Sequence, residues 1–561
     1  MPETIFVASA WPYANSSLHL GHVAGAYLPA DIFARYHRAK GNRVLFVSGS
    51  DQHGTPITVR AEEEGVSPQD VVDRFHPQFL DCWERLGISF DLYTNTGTDN
   101  HRETVQEIFL ALLHKELIYK KTVSLPYSKV AGRFLPDRYV EGTCPYCKYE
   151  AARGDQCDNC GKPLDPKDLI DIRSKLHGDI LEFRDTEHFF LKLSAQQEIL
   201  KEWVARQTHW RPNVKNFTTQ YLAEGLLDRA ITRDLGWGVP LPLPGYEGKR
   251  IYVWFEAVIG YLSASKEWAK ESGNPEAWRA FWYGDVRSYY FLGKDNIPFH
   301  SIIWPAMLRG FDHEISLPYD IPANEYLNLE GLKFSKSRNW AVWLHDYLDR
   351  FAPDPLRYVL SINMPEGADT EFTWKEFLRR NNDELVATYG NQVNRVLSFT
   401  YRSFDGRVPE HSAEEDLTEN SRTLLRKTET TLEEVDRFLG AARFKDAIKA
   451  AMALAHEANR YLEEQAPWKS IKTDAPAAAD ALWVGSVVVS TLKTVLYPFM
   501  PFSSQKIHEF LGLDGDVQAA GWRIERPVSG HQLNKPEPLF EKLEAVALTE
   551  EMLAGVEVPT P

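Results

Sequence analysis

Thr4-Ile5-Phe6-Val7-Ala8-Ser9-Ala10-Trp11-Pro12-Tyr13-Ala14-Asn15-Ser16-Ser17-Leu18-His19-Leu20-Gly21-His22 is the stretch from which the fold can be read. The apolar run Ile5–Ala8 has the composition of a buried parallel strand. Pro12, Asn15, Ser16 and Ser17 break that run and offer helix-capping side chains. Beyond them Tyr27, Leu28, Ile32, Phe33 and Tyr36 recur at helical spacing. A strand feeding a helix therefore puts His19 and His22, about one turn apart, at the helix N-terminus. Backbone N–H groups and the positive end of the helix dipole gather there, which suits an anion such as phosphate. Two imidazoles add donors, and Gly21 between them lets a ligand approach the backbone. Taken alone, H-x-x-H fits capping or packing histidines just as well.

A second motif decides between these readings. Far downstream stands Lys333-Phe334-Ser335-Lys336-Ser337, two lysines separated by small hydroxyl residues. By itself K-x-x-K is a solvated surface. Together, HLGH and KFSKS resemble the paired signatures of the class I aminoacyl-tRNA synthetases, usually written HIGH and KMSKS. AWPYAN, GSDQHGTP around Asp51, YVWFEAVIGY from Tyr252, GKDNIPFHSIIWPAML from Gly293 and EQAPW ending at Trp468 narrow the resemblance to the methionyl members, over residues 4 to about 510.

Composition is compatible with such a protein. The 561 residues suffice for several domains, with 43% hydrophobic and 25% charged residues and 16 Trp. A net charge of −16 excludes non-specific coating of nucleic acid but leaves room for a local basic face. The N-terminus Met-Pro-Glu-Thr has neither a signal peptide nor a transit peptide pattern. The longest apolar run, Ala481–Leu492, stops at Lys493, short of a bilayer span. These features predict a cytoplasmic protein with no membrane association. Of five cysteines, four form Cys144-x2-Cys147…Cys157-x2-Cys160. Each C-x2-C turn aims two thiolates at one centre, and two turns complete a tetrahedron around one zinc. With four thiolate ligands the site is closed to water and structural. Cys82 reads as a buried core residue.

The expected fold class is α/β: a doubly wound domain split by an insert, followed by an all-α bundle. Residues 1–115 form the first half, 116–235 the insert with the four-cysteine zinc knuckle, 236–320 the second half, 321–375 the KFSKS loop and linking segment, 376–515 the bundle and 516–561 a C-terminal extension. Val44–Val47 reads as a second strand, ending in a loop where Asp51 can face a ligand amine or act as a turn residue. Tyr252–Phe255 and Tyr290–Gly293 read as further strands, and Asp295 beyond the latter is a candidate for ribose hydroxyls. Gly331 reads as a hinge. Phe444, Ala447, Ile448, Ala451, Ala455, Ala458 and Leu462 trace a bundle stripe, and Asn391 and Arg395, four apart, share a helix face.

The resemblance implies the rest. It implies a Rossmann-like ATP site, with His19, His22, Lys333 and Lys336 catalytic and Gly21, Asp295 and Ser335 also binding ATP. It implies a methionine pocket from Ala10, Trp11, Tyr13, Trp254, Ala257, Tyr261, Phe299, His300 and Trp304, with Asp51 on the α-amino group. An aromatic pocket suits a thioether. It implies anticodon reading by Asn391, Arg395 and Trp468, Mg²⁺ with ATP, initiator and elongator tRNA(Met) as partners, and a monomer. The short insert and the single four-cysteine knuckle argue against the isoleucyl, leucyl, valyl and cysteinyl types. A non-catalytic RNA-binding module has no reason to keep both lysines and both histidines. Trp11, Ser16, Glu256, Val258 and Phe334 stand where relatives often have Leu, Gly, Asp, Pro and Met, so the pocket's shape stays open.

Overall fold

A computed structural model describes residues 2–544 apart from 136–138, 155, 156, 158, 161–163, 165, 176 and 335–339. The opening run is a strand, Thr4–Ser9, and Ile5 to Ala8 are completely buried. It is the central strand of a five-stranded parallel sheet, with Arg43–Ser50 and then Leu92–Asn95 on one side, Val286–Gly293 and then Ala323–Asn324 on the other. Both predicted strands, Val44–Val47 and Tyr290–Gly293, are present inside these elements. The helix Leu28–Ala39 packs its apolar side on the sheet, as the spacing of Ile32, Phe33 and Tyr36 requires.

The insert leaves after the helix Asp99–His114 along the long strand Ile118–Ser128 and returns along Glu182–Leu191, its antiparallel partner. A small sheet of Val140–Thr143, Ala152–Arg153 and Ile170–Ser174 at the far end carries the cysteines. Arg229–Ala230 pairs with Phe190 and Leu191 and brings the chain back.

Tyr252–Phe255 is not a strand. The chain forms only two strand residues, Arg250–Ile251, and then turns helical over Val253–Glu256, ahead of the helix Gly260–Glu271. A short aromatic and β-branched run does not distinguish a strand from the first turn of a buried helix, and packing decided. Gly331, read as a hinge, sits in a turn. Glu330 and Gly331 both have positive φ (46° and 82°) and make the tight turn joining Leu327–Leu329 to Leu332–Lys333.

The C-terminal part is helical: Asn391–Ser403, Glu419–Gly440, Phe444–Gln465 and Ala475–Leu496, with Phe444 through Leu462 buried along the predicted stripe. Ala475–Leu496 is longer than the apolar run that marks it in the sequence. By length and composition it could cross a membrane, but 78% of its most apolar window is buried in this bundle. Cys82 is in the core, 1% exposed.

One buried ionic knot ties sheet to bundle. Asp31 on Leu28–Ala39 accepts from Arg35 Nε (3.0 Å), Arg357 Nη2 (2.6 Å) and the Ser89 N–H and hydroxyl (2.7 and 2.6 Å). Arg357, itself fully buried, also donates to the carbonyls of Phe499 and Pro498 at the end of the bundle helix. Although burial works to raise it, Arg35 and Arg357 hold the Asp31 carboxyl down at about 2. Its contribution is thus present above the unfolded value of about 3.9 and is lost as pH falls through 2. Removing one partner of a buried pair leaves the other uncompensated, so Arg357→Leu should cost about 3–5 kcal/mol, read from the denaturant midpoint.

Candidate functional site

At the carboxyl end of the central strand the chain peels away: Ala10 N–H still donates to Phe291 O (3.0 Å), and Ala10 O accepts from Tyr27 OH (2.6 Å). A cavity of about 430 Å³ opens there. Ala10, Trp11, His19, Gly21, His22, Asp295, Lys333 and Phe334 line it, joined by Glu325, Tyr326 and Asn328. The two distant motifs therefore meet on one cavity. Ser335 and Lys336 lie outside the described residues.

His19 is the N-cap of the turn Leu20–His22, which continues as a π-turn, Val23–Tyr27, and then as Leu28–Ala39. The first-turn N–H groups are not free. Gly21 N–H donates to His19 Nδ1 (3.2 Å), His19 N–H to His22 Nδ1 (3.1 Å), and Leu20 N–H to Val342 O (3.2 Å). This corrects the expectation that backbone groups there await an anion. The two histidines cap the helix with Nδ1, so each neutral ring carries its proton on Nε2. The cavity is then offered two imidazole N–H donors and the helix dipole rather than bare amides. Phe334 stacks flat on His19, with ring centroids 4.8 Å apart and planes 7° off parallel. Lys333 Nζ stands 4.8 Å over the ring of Tyr326, whose hydroxyl donates to Asp295.

The expected methionine residues divide. Trp11 fits a slot made by two glycines. A Cβ on Gly49 or Gly260 would come within 2.6 or 2.8 Å of the indole. Tyr261 meets that ring edge-on and donates its hydroxyl to His300 Nε2 (2.7 Å), while His300 Nδ1 donates to Asn296 O (2.9 Å). Burial pushes His300 down to about 4, so it is neutral. Trp254 and Phe299 form a T-shaped pair, with Trp254 45% exposed and Ala257 part-buried between them and the core. Trp254 faces a different cleft, one of about 700 Å³ toward the insert, lined also by Lys121, Lys167, Arg229 and Arg233. Trp304 lines neither of these two cavities. It is wholly buried beneath, with Nε1 donating to Tyr290 OH (3.3 Å).

Asp51 follows the strand Arg43–Ser50 and is 3% exposed, its backbone paired with Tyr13, whose ring sits where a Gly54 Cβ would go. Its Oδ1 accepts from the His53 N–H (3.1 Å). Burial and the charge of Glu256 push its carboxyl up to about 7, against the opposing pull of His53. Glu256 itself pairs with His53 through Nδ1 (3.1 Å). Sequence reasoning missed this histidine, although the GSDQHGTP stretch contains it.

In the insert, Cys144, Cys147, Cys157 and Cys160 lie with their sulfurs within 4.8 Å of one another and can hold a metal ion. Cys144–Cys160 and Cys147–Cys157 stand at 3.9 and 3.6 Å, too far for disulfides. The Asn159 amide and the Tyr149 backbone N–H help pull the Cys147 thiol down to about 6, the thiolate a metal requires. In the bundle, the Arg395 guanidinium lies 4.4 Å over the Trp468 ring, and Asn391 is exposed one turn before it. Trp468 follows Ala466, left-handed at φ 41°, just past Phe444–Gln465.

Comparison with known proteins agrees with this layout. Residues 5–397 match the family model "tRNA synthetases class I (M)", and 408–554 match "Anticodon binding domain of methionyl tRNA ligase". The chain is 61% identical to a methionine–tRNA ligase of Dehalococcoides mccartyi strain CBDB1 over 98% of this chain and 99% of that one. It is 52% identical to the Thermomicrobium roseum protein of the same name, covering 98% of each. The structure of a Mycobacterium tuberculosis methionyl-tRNA synthetase in complex with methionyl-adenylate superposes with a TM-score of 0.80 at 26% identity, covering 96% of this chain and all of that one.

The Trp11 slot gives a test of its own. Gly260→Ala should destabilise the protein by about 1–3 kcal/mol through overpacking. Trp11→Leu in the same chain should return much of that loss, a coupling that thermal melts of the two single variants and the double variant would read.

Proposed function

Since the chain belongs to the methionine–tRNA ligase family of class I tRNA synthetases, we propose that it joins L-methionine to tRNA(Met) in two steps, the first consuming ATP. The observation that carries this reading is the meeting of His19, His22, Asp295 and Lys333 on one cavity at the carboxyl end of the central strand. The methionine carboxylate attacks the α-phosphorus of ATP, giving methionyl-adenylate and pyrophosphate. The 3′-terminal ribose hydroxyl of tRNA then attacks the activated carbonyl and releases AMP.

Such chemistry asks the protein for position and positive charge rather than for a covalent intermediate. His19 and His22 present their Nε2–H groups to the phosphates. Asp295 takes ribose hydroxyls, with Tyr326 holding its carboxylate. Lys333 and Lys336 stabilise charge on the departing pyrophosphate, Ser335 lies between them, and Mg²⁺ bound with ATP supplies further neutralisation. Asp51 takes the methionine ammonium. The thioether lies among Trp11, Tyr13, Tyr261 and His300, with Trp254, Ala257 and Phe299 at the rim and Trp304 supporting from beneath. Lys121, Arg229 and Arg233 in the insert-facing cleft suit an incoming phosphate chain. Arg395 and Trp468 make a stacking platform for an anticodon base, with the exposed amide of Asn391 beside it. The reaction belongs in the cytoplasm with the rest of translation.

The four-cysteine site fits zinc. A tetrahedron with Zn–S bonds near 2.3 Å has edges of about 3.8 Å, and the sulfur separations of 3.6 and 3.9 Å bracket that. Cys144, Cys147, Cys157 and Cys160 would hold it, stiffening the insert.

The direct test is exchange of labelled pyrophosphate into ATP with each of the twenty amino acids and no tRNA. Exchange with methionine alone is expected, and exchange with none would overturn the reading. Asp51→Asn should raise the methionine KM at least about thirty-fold, the equivalent of about 2 kcal/mol for a lost buried charge partner, with the KM for ATP nearly unchanged. Metal analysis should find about one zinc per chain. Cys157→Ala should lose it and expose residues 140–175 to proteolysis while the helical bundle stays resistant.

A further inference from the structure

The His53–Glu256 pair stands outside every role assigned above. Glu256 is completely buried on the turn Val253–Glu256, and His53 belongs to the loop that carries Asp51. His53 Nδ1 lies 3.1 and 3.2 Å from the two Glu256 oxygens, while the His53 N–H donates to Asp51 Oδ1 at 3.1 Å. One residue thus holds two buried carboxylates, one with its backbone and one with its ring. The loop is fixed from outside by Trp237 Nε1 donating to Gln52 O and by Gln52 N–H donating to Thr96 Oγ1.

The other groups around the pair do not balance its charge. His101 Nε2 is 3.8 Å from Glu256 Oε2. The Ser263 hydroxyl donates to Gly260 O, so it accepts from His101 Nδ1–H and leaves His101 Nε2 as a bare lone pair. Burial keeps His101 neutral, pushed down to about 3. Arg250 opposes the charge on His53. Among the described residues, then, His53 is the one cation within hydrogen-bond reach of Glu256. Two buried carboxylates thus share one imidazole as their only cationic hydrogen-bond partner among the described residues, with Arg250 acting from beyond it, an arrangement that a second bound cation would relieve.

We infer that Glu256, clamped by His53, is a positioning residue for the amino acid. As a second buried carboxylate, it leaves the Asp51 site one positive charge short until a substrate ammonium enters. The inference rests on the reading of Asp51 as the ammonium partner. Near neutral pH the ligand-free site makes up the deficit with a proton on Asp51, which agrees with burial and the Glu256 charge both pushing that carboxyl up. Binding the ammonium displaces this proton, so the affinity for methionine is linked to pH through Asp51, with Glu256 adding to the push of burial.

The test is the methionine KM in pyrophosphate exchange by the full chain between pH 6 and pH 8. The wild type should show a rise of about tenfold from pH 8 to pH 6, because an Asp51 near 7 must be deprotonated to bind. Glu256→Gln should show a smaller rise over the same range, since the neighbouring charge is gone while burial still raises Asp51. Glu256→Asp keeps the charge and should keep the slope. A merely structural Glu256 would alter KM without altering its pH profile. A flat wild-type profile, or an unchanged slope in Glu256→Gln, overturns the proposal and leaves the activity intact. No methionine-dependent exchange at any pH overturns the functional reading instead. Should Glu256→Gln fail to fold, calorimetry of the wild type with methionine at pH 7, in buffers of different ionisation heat, should show about half a proton released per methionine. Zero release overturns the proposal.

Discussion

Everything in the nucleotide-binding half depends on where the first strand sits. Thr4–Ser9 pairs on one side with Arg43–Ser50, close in sequence, and on the other with Val286–Gly293, beyond the whole insert. The chain order reverses at this strand, and connections leaving its two neighbours go to opposite sides, which opens a crevice at the carboxyl ends. Ala10 marks the spot, still bonded to Phe291 O as the chain departs. The pairing across so long a loop survives because the insert leaves and returns through adjacent strands. Ile118 faces Leu191, and Leu191 faces Arg229. The insert's ends are thereby pinned together, and the sheet sees little more than a short connection.

The parts of this structure legible in the sequence were those whose chemistry fixes their spacing. An apolar run followed by capping residues gave the first strand and its helix, and four cysteines in two C-x2-C turns gave a cluster. Illegible were features that only distant packing determines. Tyr252–Phe255 has strand composition, yet its helical turn seats Glu256 at 0% exposure against His53. Nothing local says that the imidazoles of His19 and His22 would cap their own helix and so consume the amides expected to meet phosphate. Trp304 shares its spacing with Phe299 and His300, but the π-turn Phe299–Ile303 shifts the register and sends it into the core.

The treatment of buried carboxylates separates structure from function. Asp31 has two guanidinium partners and four short hydrogen bonds, and sits at about 2. Asp354 is also fully buried with its carboxyl pushed up, but its Oδ2 accepts from the N–H and hydroxyl of Ser503 at the start of Pro501–Phe510, a capping role that accounts for its place. A raised carboxyl is therefore not sufficient to mark a site.

Place and incompleteness mark Asp51. It lies at the carboxyl end of a parallel strand beside the switch point, with the His53 N–H and the Thr96 hydroxyl as partners, a like charge behind it and, among the described residues, no guanidinium or ammonium bonded to it. A protein that needed this carboxylate only for folding would gain by neutralising it internally, as it does for Asp31, or by replacing it with an apolar residue. The proposed role, partner to a substrate ammonium, accounts for a carboxylate kept buried beside a like charge. On the proposed reading, the aromatic group of Trp11, Tyr261 and His300, joined edge-on and by the Tyr261 hydroxyl, would favour an apolar bearer of that ammonium over a charged one.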